Sequence, residues 1–273
     1  MEKNIDKLNA EFWNELCGSS LARHLGIRDH SIESLQRFDE AYLGFYPYLL
    51  EEVPLKGVSG KKVLEIGLGY GTLGQKLVEA GAHYIGLDVA EGPARMMLHR
   101  LAIQNLPGTA LRASILDSPF AKEEFDIVIS IGCYHHTGDV KRCIDETYRI
   151  LKCGGDAYIM LYNQFSFRQW RKWPMQTFFS FLNTYGITDS NISISEQQRK
   201  SYDSTAEGIA APEVSFHSIH ELRALFSQFS SVRFSKHNCD NLILFSRFTI
   251  QRKYLLSTLG RFLGLDIYIN AIK

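Results

Sequence analysis

Three glycines at alternate positions are the residues of this chain whose spacing most clearly predicts chemistry. Gly67, Gly69 and Gly71 follow an apolar run and precede a helical pattern that begins at Thr72. Without side chains, such a turn lets a nucleoside lie against the backbone, and the free N–H groups of the helix start can bind it. Asp88 ends a second apolar run roughly 20 residues later, where a carboxylate can accept hydrogen bonds from both hydroxyls of a ribose. The segment predicts a nucleotide-type binding loop.

Two adjacent histidines are the strongest candidates for acid–base chemistry. His135 and His136 come directly after an apolar run that predicts a strand, at the edge where open α/β sheets bind ligands. A histidine can take up a proton near neutral pH. Because successive side chains rarely point the same way, we predict that His135 is a general base and that His136 packs or hydrogen-bonds. The alternative, that both are structural, stays open. Tyr162 follows the next predicted strand and is a third catalytic candidate.

The framework that must position these residues is an alternation of strand and helix patterns. Such an alternation predicts a parallel sheet. The alternation of strand and helix patterns stops after Leu161 and continues from Ile219. The predicted strands are Lys61–Ile66, His83–Leu87, Ala110–Ala113, Phe125–Ile131, Ala157–Leu161, Val232–Lys236 and Leu265–Ala271, and the predicted helices are Thr72–Ala80, Pro93–Gln104, Val140–Leu151 and Ile219–Phe226. An amphipathic helical stretch is also predicted near 249–263.

Three motifs resemble those of the class I S-adenosylmethionine-dependent methyltransferases. VLEIGLGYGT from Val63 is similar to the family's first motif, VLEIGxGxG; FDIVISIGCYHHT from Phe125 is similar to FDxVxSxGVLHHT; and ILKCGG from Ile150 is similar to RVLKPGG. The resemblance implies S-adenosylmethionine as the cofactor and S-adenosylhomocysteine as the product. Glu65 is then expected to hold the methionine ammonium of the cofactor. The cofactor-binding residues implied are Glu65, Gly67, Gly69, Gly71, Thr72, Asp88, Val89, Ser114, Ile115, Ser130, Ile131 and Gly132.

The predicted fold is α/β: a Rossmann-like, doubly wound, mostly parallel seven-stranded sheet with N-terminal helices and an inserted helical cap. Four regions are expected: 1–56 as an N-terminal helical cap, 57–161 as the cofactor-binding core, 162–216 as an inserted substrate cap or lid, and 217–273 as the rest of the sheet. Spacings of three and four predict two helices in the first region, one reaching Leu16 and one reaching Leu49. The third region is too long for a plain connection. Its aromatic side chains Phe165, Trp170 and Trp173 are predicted to line or roof an apolar pocket.

The glycine pattern also fits a second class of enzyme, the NAD(P)-dependent oxidoreductases. Gly69 to Gly74 match GxGxxG literally. This match begins two residues late, since the dinucleotide pattern starts at Gly67 and would then need a glycine at Thr72. The carboxylate of Glu65 would also repel a pyrophosphate. We therefore favour a methyltransferase, with two alternatives left open: a non-catalytic cofactor-binding or regulatory protein of the same fold, and the oxidoreductase.

The position expected to recognise adenine departs from the family pattern. The family has GDAxxLPF after the third strand, and this chain has ASILDSPF, so the adenine-binding aspartate aligns with Ser114. A serine hydroxyl accepts a hydrogen bond from the adenine amino group more weakly than a carboxylate does. Ile115 is expected to cover the adenine face. Asp117 reaching in from the next turn is the alternative contact.

The methyl acceptor is expected to be a small, partly apolar metabolite methylated at O, N or C by in-line displacement, which depends mainly on positioning and desolvation. The run YDSTAEGIAAPE from Tyr202 resembles a YDxxxxGxxAPE stretch of some small-molecule methyltransferases. The candidate substrate residues are Trp13, Tyr42, Tyr46, Asn163, Arg168, Tyr202, Glu213 and His217.

Composition sets the limits on partners and location. Thirty basic and thirty acidic residues give no net charge, so we expect no nucleic-acid partner. No apolar stretch approaches the roughly 20 residues that span a bilayer, and Met1 to Trp13 lacks a secretory apolar core, so we expect a cytoplasmic protein without membrane association. A homodimer is compatible with this composition. The five cysteines, Cys17, Cys133, Cys143, Cys153 and Cys239, show no CxxC pair, so we expect neither disulfides nor a bound metal.

Overall fold

The computed structural model describes residues 5–15, 18–244 and 248–273. Met1 to Asn4, Leu16 and Cys17, which entered the sequence predictions, lie outside the described residues. In the described part, no helix is both long enough and apolar enough to cross a membrane.

The centre of the fold is a seven-stranded sheet in the order β3-β2-β1-β4-β5-β9-β6. Strand β9 runs antiparallel to β5 and β6, and the other neighbouring pairs are parallel. Strands β7 and β8 form a separate antiparallel pair. The strands are β1 Lys62–Ile66, β2 His83–Asp88, β3 Thr109–Arg112, β4 Phe125–Ile131, β5 Leu151–Tyr162, β6 Ser231–His237, β7 Leu242–Leu244, β8 Phe248–Ile250 and β9 Asp266–Ile272. The predicted mostly parallel, seven-stranded α/β fold is confirmed.

Helices cover both faces of the sheet because its strands are apolar on both sides. On β1, Val63 and Leu64 are both buried but belong to different core clusters, one on each face. The helices are α1 Ile5–Phe12, α2 Ser19–His24, α3 Ile32–Phe45, α4 Leu49–Glu52, α5 Thr72–Glu79, α6 Glu91–Ile103, α7 Val140–Ile150, α8 Phe167–Lys172, α9 Pro174–Thr184, α10 Glu196–Tyr202, α11 Ile219–Leu225, α12 Arg252–Leu255 and α13 Leu259–Leu263. The strand order reverses at β1 and β4, and the crevice at their carboxyl ends is where such sheets bind ligands.

Three predicted elements differ from the observed ones, the first being the helix predicted to reach Leu49, which ends at Phe45. Strand β5 begins at Leu151, where the sequence predicted the end of a helix and a glycine turn, because an irregular register opposite β4 pairs Leu151 with Phe125. Gly154 has a φ of 76°, which lets the strand continue through that irregularity. The stretch 249–263 is not one helix but β8, α12 and α13. Tertiary hydrogen bonds override the helical pattern there, since the Arg252 guanidinium donates to Phe45 O and Asn238 Oδ1.

A buried ion pair fixes helix α3 on the glycine turn. Arg100 is fully buried, and its Nη1 and Nη2 donate to the two carboxylate oxygens of Asp39 at 2.9 Å. Arg100 Nε also donates to Tyr70 O, and the Thr72 hydroxyl donates to Asp39 Oδ1 at 2.6 Å. Removing one partner of such a pair typically costs about 3–5 kcal/mol. The N-terminal helices are therefore held against the ligand edge of the sheet.

Residues 162–216 contain α8, α9 and α10, with irregular chain between them. Arg168 ties this segment to the region after β6, since its Nε and Nη2 donate to the carboxylate of Asp240 at 2.8 and 2.6 Å. Its Nη1 donates to Ser201 O. The segment returns to the sheet edge through a bridge between Asn163 and His217.

Candidate functional site

A cavity opens at the carboxyl ends of β1 and β4, beneath the N-terminal helices. The empty space in and in front of it, open solvent included, is about 1090 Å³. Ten of the twelve predicted cofactor residues line it: Glu65, Gly67, Gly69, Thr72, Asp88, Val89, Ser114, Ile115, Ile131 and Gly132. The sheet therefore brings together residues from four loops that the sequence placed at separate strand ends.

The turn after β1 requires glycine for two different reasons. Gly67, Gly69 and Gly71 have φ values of 83°, 52° and 80°, in the left-handed region that side chains disfavour. A Cβ on Gly67 would lie 2.6 Å from Cys133 Cβ, against the cavity wall. A Cβ on Gly71 would instead lie 2.8 Å from Arg100 Cδ, and Gly71 does not line the cavity. Gly71, predicted to contact the cofactor, lies outside the cavity wall and leaves room for the Arg100 side chain.

Glu65 is a buried carboxylate in the cavity wall. The Tyr84 hydroxyl donates to Glu65 Oε2 at 2.5 Å. Burial raises the pKa of Glu65 to about 8, and the negative charge of Asp88 adds to this rise. A ligand that brings a positive charge to this wall would stabilise the ionised form.

Asp88 ends β2 and is positioned by backbone N–H groups. Leu68 N donates to its Oδ2 and Ala90 N donates to its Oδ1, both at 2.8 Å. Burial raises the pKa of Asp88 to about 6, while these two hydrogen bonds hold it lower than burial alone would. Each oxygen keeps a lone pair, so the carboxylate can accept a pair of hydroxyl groups.

Ser114 and Ile115 line the cavity on the β3 side, as predicted. The Ser114 Oγ accepts from Leu116 N at 3.1 Å and caps a short 3₁₀ turn. Asp117, the alternative, is at the far end of that turn and does not line the cavity. Ser130 does not line it either, because its side chain is fully buried at the end of β4.

The two histidines occupy places opposite to those predicted. His136 lines the cavity, whereas His135 is fully buried behind it and packs on Tyr162, with the two rings tilted and their centroids 3.9 Å apart. A short 3₁₀ turn, Tyr134–His136, follows β4 and rotates the chain between the two positions. Burial lowers the pKa of His135 well below its usual range. The structure therefore favours His136 over His135 as the group that meets a ligand.

His136 belongs to a polar cluster that joins three elements. Its Nδ1 lies 2.7 Å from Glu213 O, which as a carbonyl can only accept, so Nδ1 carries the proton and Nε2 has the free lone pair. Nε2 lies 3.6 Å from Asp203 Oδ2, and the Tyr162 hydroxyl donates to the same oxygen at 3.0 Å. Burial raises the pKa of Asp203, and the hydrogen bond from the Tyr162 hydroxyl opposes that rise. Tyr162, the third catalytic candidate, thus reaches the site through Asp203 and does not line the cavity.

The predicted substrate residues divide into wall residues and supporting residues. Trp13 and Tyr42 line the cavity, and the ring centroids of Trp13 and His136 lie 4.8 Å apart. The other six do not line it. Tyr46 packs on Tyr42; Asn163 donates to Gly264 O; Arg168 binds Asp240; Tyr202 packs on Tyr162; Glu213 offers its carbonyl to His136; and His217 contacts Ser215 and Glu221.

The predicted aromatic lid does not roof this cavity. Phe165, Trp170 and Trp173 are absent from its wall, and Phe165 packs on Phe181 of α9 instead. The N-terminal helices supply the cover. The sequence prediction missed several wall residues, among them Asp6, Asn9, Phe38, Tyr70, Cys133 and Thr137. For α1 a signal existed, since Asp6, Asn9 and Trp13 are spaced by three and four and share one helical face.

The burial of His135 leads to a stability prediction. Among the described residues, neither ring nitrogen has a hydrogen-bond partner. We expect His135→Phe to leave the free energy of unfolding at pH 7 unchanged or to raise it, because an apolar ring removes buried polar atoms without partners.

The same substitution should change the response to acid. The folded pKa of His135 lies below its ordinary value of 6.5, so the unfolded chain takes up the proton first. The stability that neutral His135 contributes is complete above pH 6.5 and is lost as the pH falls below it. Urea unfolding at pH 5, 6 and 7 should show a weaker pH dependence in His135→Phe than in the wild type. A variant that is less stable at every pH would contradict the assignment.

Comparison with known proteins agrees with this geometry. Residues 64–159 match the family model described as a methyltransferase domain. A ubiquinone biosynthesis O-methyltransferase of Pseudomonas fluorescens is 32% identical over 110 residues, 40% of this chain and 47% of that protein. One from Pseudomonas aeruginosa is 32% identical over 113 residues, with the same shares. The chain thus spans about half the length of the curated relatives it matches.

Solved structures match over more of the chain. A methyltransferase of Thermotoga maritima, titled a possible histamine N-methyltransferase, has a TM-score of 0.53 at 19% identity, covering 88% of this chain and 97% of that one. Magnesium protoporphyrin IX methyltransferase of Synechocystis, solved with bound S-adenosylmethionine, has a TM-score of 0.54 at 11% identity, covering 99% and 98%. At these identities the matches establish the fold.

Proposed function

We propose that this chain, whose residues 64–159 match a methyltransferase-domain family model, is an S-adenosylmethionine-dependent methyltransferase that transfers the methyl group of this cofactor to a hydroxyl of a small molecule. The observation that carries the proposal is the convergence of Glu65, Asp88 and His136 on one cavity, beside the glycine turn. Glu65 and Asp88 can bind the hydrogen-bond donors of the cofactor. His136 can take up the proton that the methyl acceptor must lose.

The cavity wall fits the cofactor in chemistry and in shape. The ammonium and the ribose hydroxyls of S-adenosylmethionine are donors, and Glu65 and Asp88 are acceptors in its wall. At Gly67 and Gly69 the wall has no side chain, so a ligand can lie directly against the backbone of the turn. When bound, the cofactor supplies a methyl group that is electrophilic because it sits on a sulfonium. The role of these residues is to hold it and to exclude water.

His136 is the proposed proton acceptor. Its Nδ1 proton is committed to Glu213 O, so Nε2 is the basic nitrogen. Asp203 lies beside that nitrogen and would stabilise the imidazolium that forms when a hydroxyl gives up its proton. Tyr162 holds the Asp203 carboxylate in place through its own hydroxyl.

The proposed acceptor is neutral and partly apolar. Among the described residues, no lysine or arginine lines the cavity, while Asp6, Glu65 and Asp88 do. An anionic acceptor would therefore meet repulsion without a cationic partner. Trp13, Tyr42 and other large apolar side chains suit a ring or chain. The matched relatives named O-methyltransferases support oxygen as the atom methylated.

We further propose that the acceptor is a small molecule and not a nucleic acid, and that the protein acts in the cytoplasm. The balance of 30 acidic and 30 basic residues supports the first point, since it gives no cationic field toward a phosphate backbone.

A panel of neutral phenols and alcohols, with matching carboxylates and amines, tests the proposal. We expect S-adenosylhomocysteine to form with at least one hydroxyl compound, and methylation at oxygen to appear by mass spectrometry. If only the amines are methylated, the acceptor atom is nitrogen and the proposal of a hydroxyl acceptor is wrong. Tight cofactor binding without turnover on any class would favour a non-catalytic protein, and binding of NAD(P) in its place would favour the oxidoreductase.

A further inference from the structure

Helix α1 presents acceptor oxygens to the nucleoside end of the cavity. Asp6 and Asn9 lie on α1, Trp13 directly follows it, and all three line the cavity. Trp13 contacts the His136 ring. Asp6 and Asn9 bring oxygen atoms to which the proposed function has so far assigned no hydrogen bond.

Asn9 has a buried oxygen without a partner. The residue is 3% exposed, and its Nδ2 donates to His136 O at 2.7 Å, which anchors α1 to the loop after β4. In the described part of the chain, its Oδ1 has no hydrogen-bond partner. Buried polar atoms in folded proteins are nearly always hydrogen-bonded. An acceptor held in the wall of a binding cavity points to a ligand that donates.

Asp6 lies in the part of the cavity wall where the adenine base of the cofactor is expected. If Asp88 holds the ribose, the base lies against the neighbouring wall, because it is attached one carbon away from the ribose hydroxyls. That wall continues from Asp88 across to β3, since Ala113 N donates to Asp88 O. Asp6 lines the cavity and also the adjoining groove, together with Val89, Ala113 and Ser114. Among the described residues, its carboxylate makes no hydrogen bond or ion pair.

Ser114 by itself is a weak acceptor at this wall. Its Oγ already accepts from Leu116 N. Asp117 does not line the cavity. The loop after β3 therefore offers no carboxylate to an amino group in the cavity.

We propose that α1 recognises the adenine amino group, with the Asp6 carboxylate and Asn9 Oδ1 accepting its two N–H hydrogens. This inference rests on the proposed function, in that it takes S-adenosylmethionine as the donor. It makes a helix outside the sheet a specificity element for the cofactor. It also accounts for a cofactor site that has serine at position 114.

Calorimetry with two ligands tests the proposal: S-adenosylhomocysteine, and its analogue with an unsubstituted purine, which lacks the amino group. The wild type should prefer the first by on the order of 100-fold, as two hydrogen bonds imply. In Asp6→Ala this preference should drop to about tenfold or less. In Asp6→Ala with Asn9→Ala it should approach 1. Because the preference compares two ligands on one protein, a general loosening of α1 cancels.

Glu11→Gln is the matched control, since Glu11 lies on the same helix and lines the adjoining groove but not the cavity. It should keep the wild-type preference. If Asp6→Ala keeps that preference and Ser114→Ala removes it, the loop after β3 recognises the amino group and the inference is wrong. If the wild type binds neither ligand, the proposed function itself fails, and the inference with it.

Discussion

Asp88→Ala is expected to weaken the binding of S-adenosylhomocysteine by on the order of 100-fold or more. Two hydrogen bonds from ribose hydroxyls to a carboxylate are each worth about 1.5–3 kcal/mol. The substitution also leaves Leu68 N and Ala90 N without their acceptor, so the turn that frames the cavity loses its anchor. Isothermal titration calorimetry measures the change directly.

The pH dependence of wild-type binding should point to the same carboxylate. Since burial raises the pKa of Asp88 to about 6, protonation competes with ribose binding below that pH. The affinity should therefore fall as the pH is lowered from 7 to 5. Glu91→Gln, an exposed acid near the mouth of the cavity, is the control and should bind as the wild type does. A folded Asp88→Ala protein with unchanged affinity would refute the ribose assignment.

His136→Ala is expected to lower kcat by on the order of 10²- to 10⁴-fold, the usual contribution of a general base. The affinity for S-adenosylhomocysteine should change by no more than a few-fold, because Asp88 and the glycine turn remain. Steady-state rates with the acceptor found in the panel, and calorimetry with the product, separate the two effects.

Two variants make this test specific. His136→Asn places an amide N–H near the position of Nδ1, so it can still donate to Glu213 O. It cannot take up a proton, so it should be as slow as His136→Ala. His135→Phe should keep most of the activity, because His135 does not line the cavity. If His135→Phe is inactive while His136→Asn is active, the prediction from the sequence is right and the proposal from the structure is wrong.

The cofactor half of the site follows closely from the sequence. Glu65, the glycine turn and Asp88 lie within one stretch whose apolar periods define two strands and a helix. Parallel strands joined by crossovers end at the same edge, so residues placed after β1, β2, β3 and β4 had to meet. Ten of the twelve predicted residues do line one cavity. Gly71 does not, because the same pattern of glycines serves both a ligand and a buried arginine.

The acceptor half could not be predicted in the same way. Which of two adjacent histidines faces the cavity depends on the rotation of a three-residue 3₁₀ turn after β4. The sequence pattern contains both residues and does not specify that rotation. The lid was placed in residues 162–216 for their aromatics, yet the cover is formed by helices before β1.

By itself, the sequence determined the sheet and the position of the proposed donor site, because hydrophobic period and crossover geometry are local rules that act within one βα unit. The tertiary structure decided the rest: that His136 meets the cavity, that Asp203 from a distant segment lies beside it, and that Asp6 and Asn9 line the same wall. These contacts join residues far apart in the chain. They depend on how α1 and the segment 162–216 pack on the sheet edge, and no short-range pattern specifies that packing.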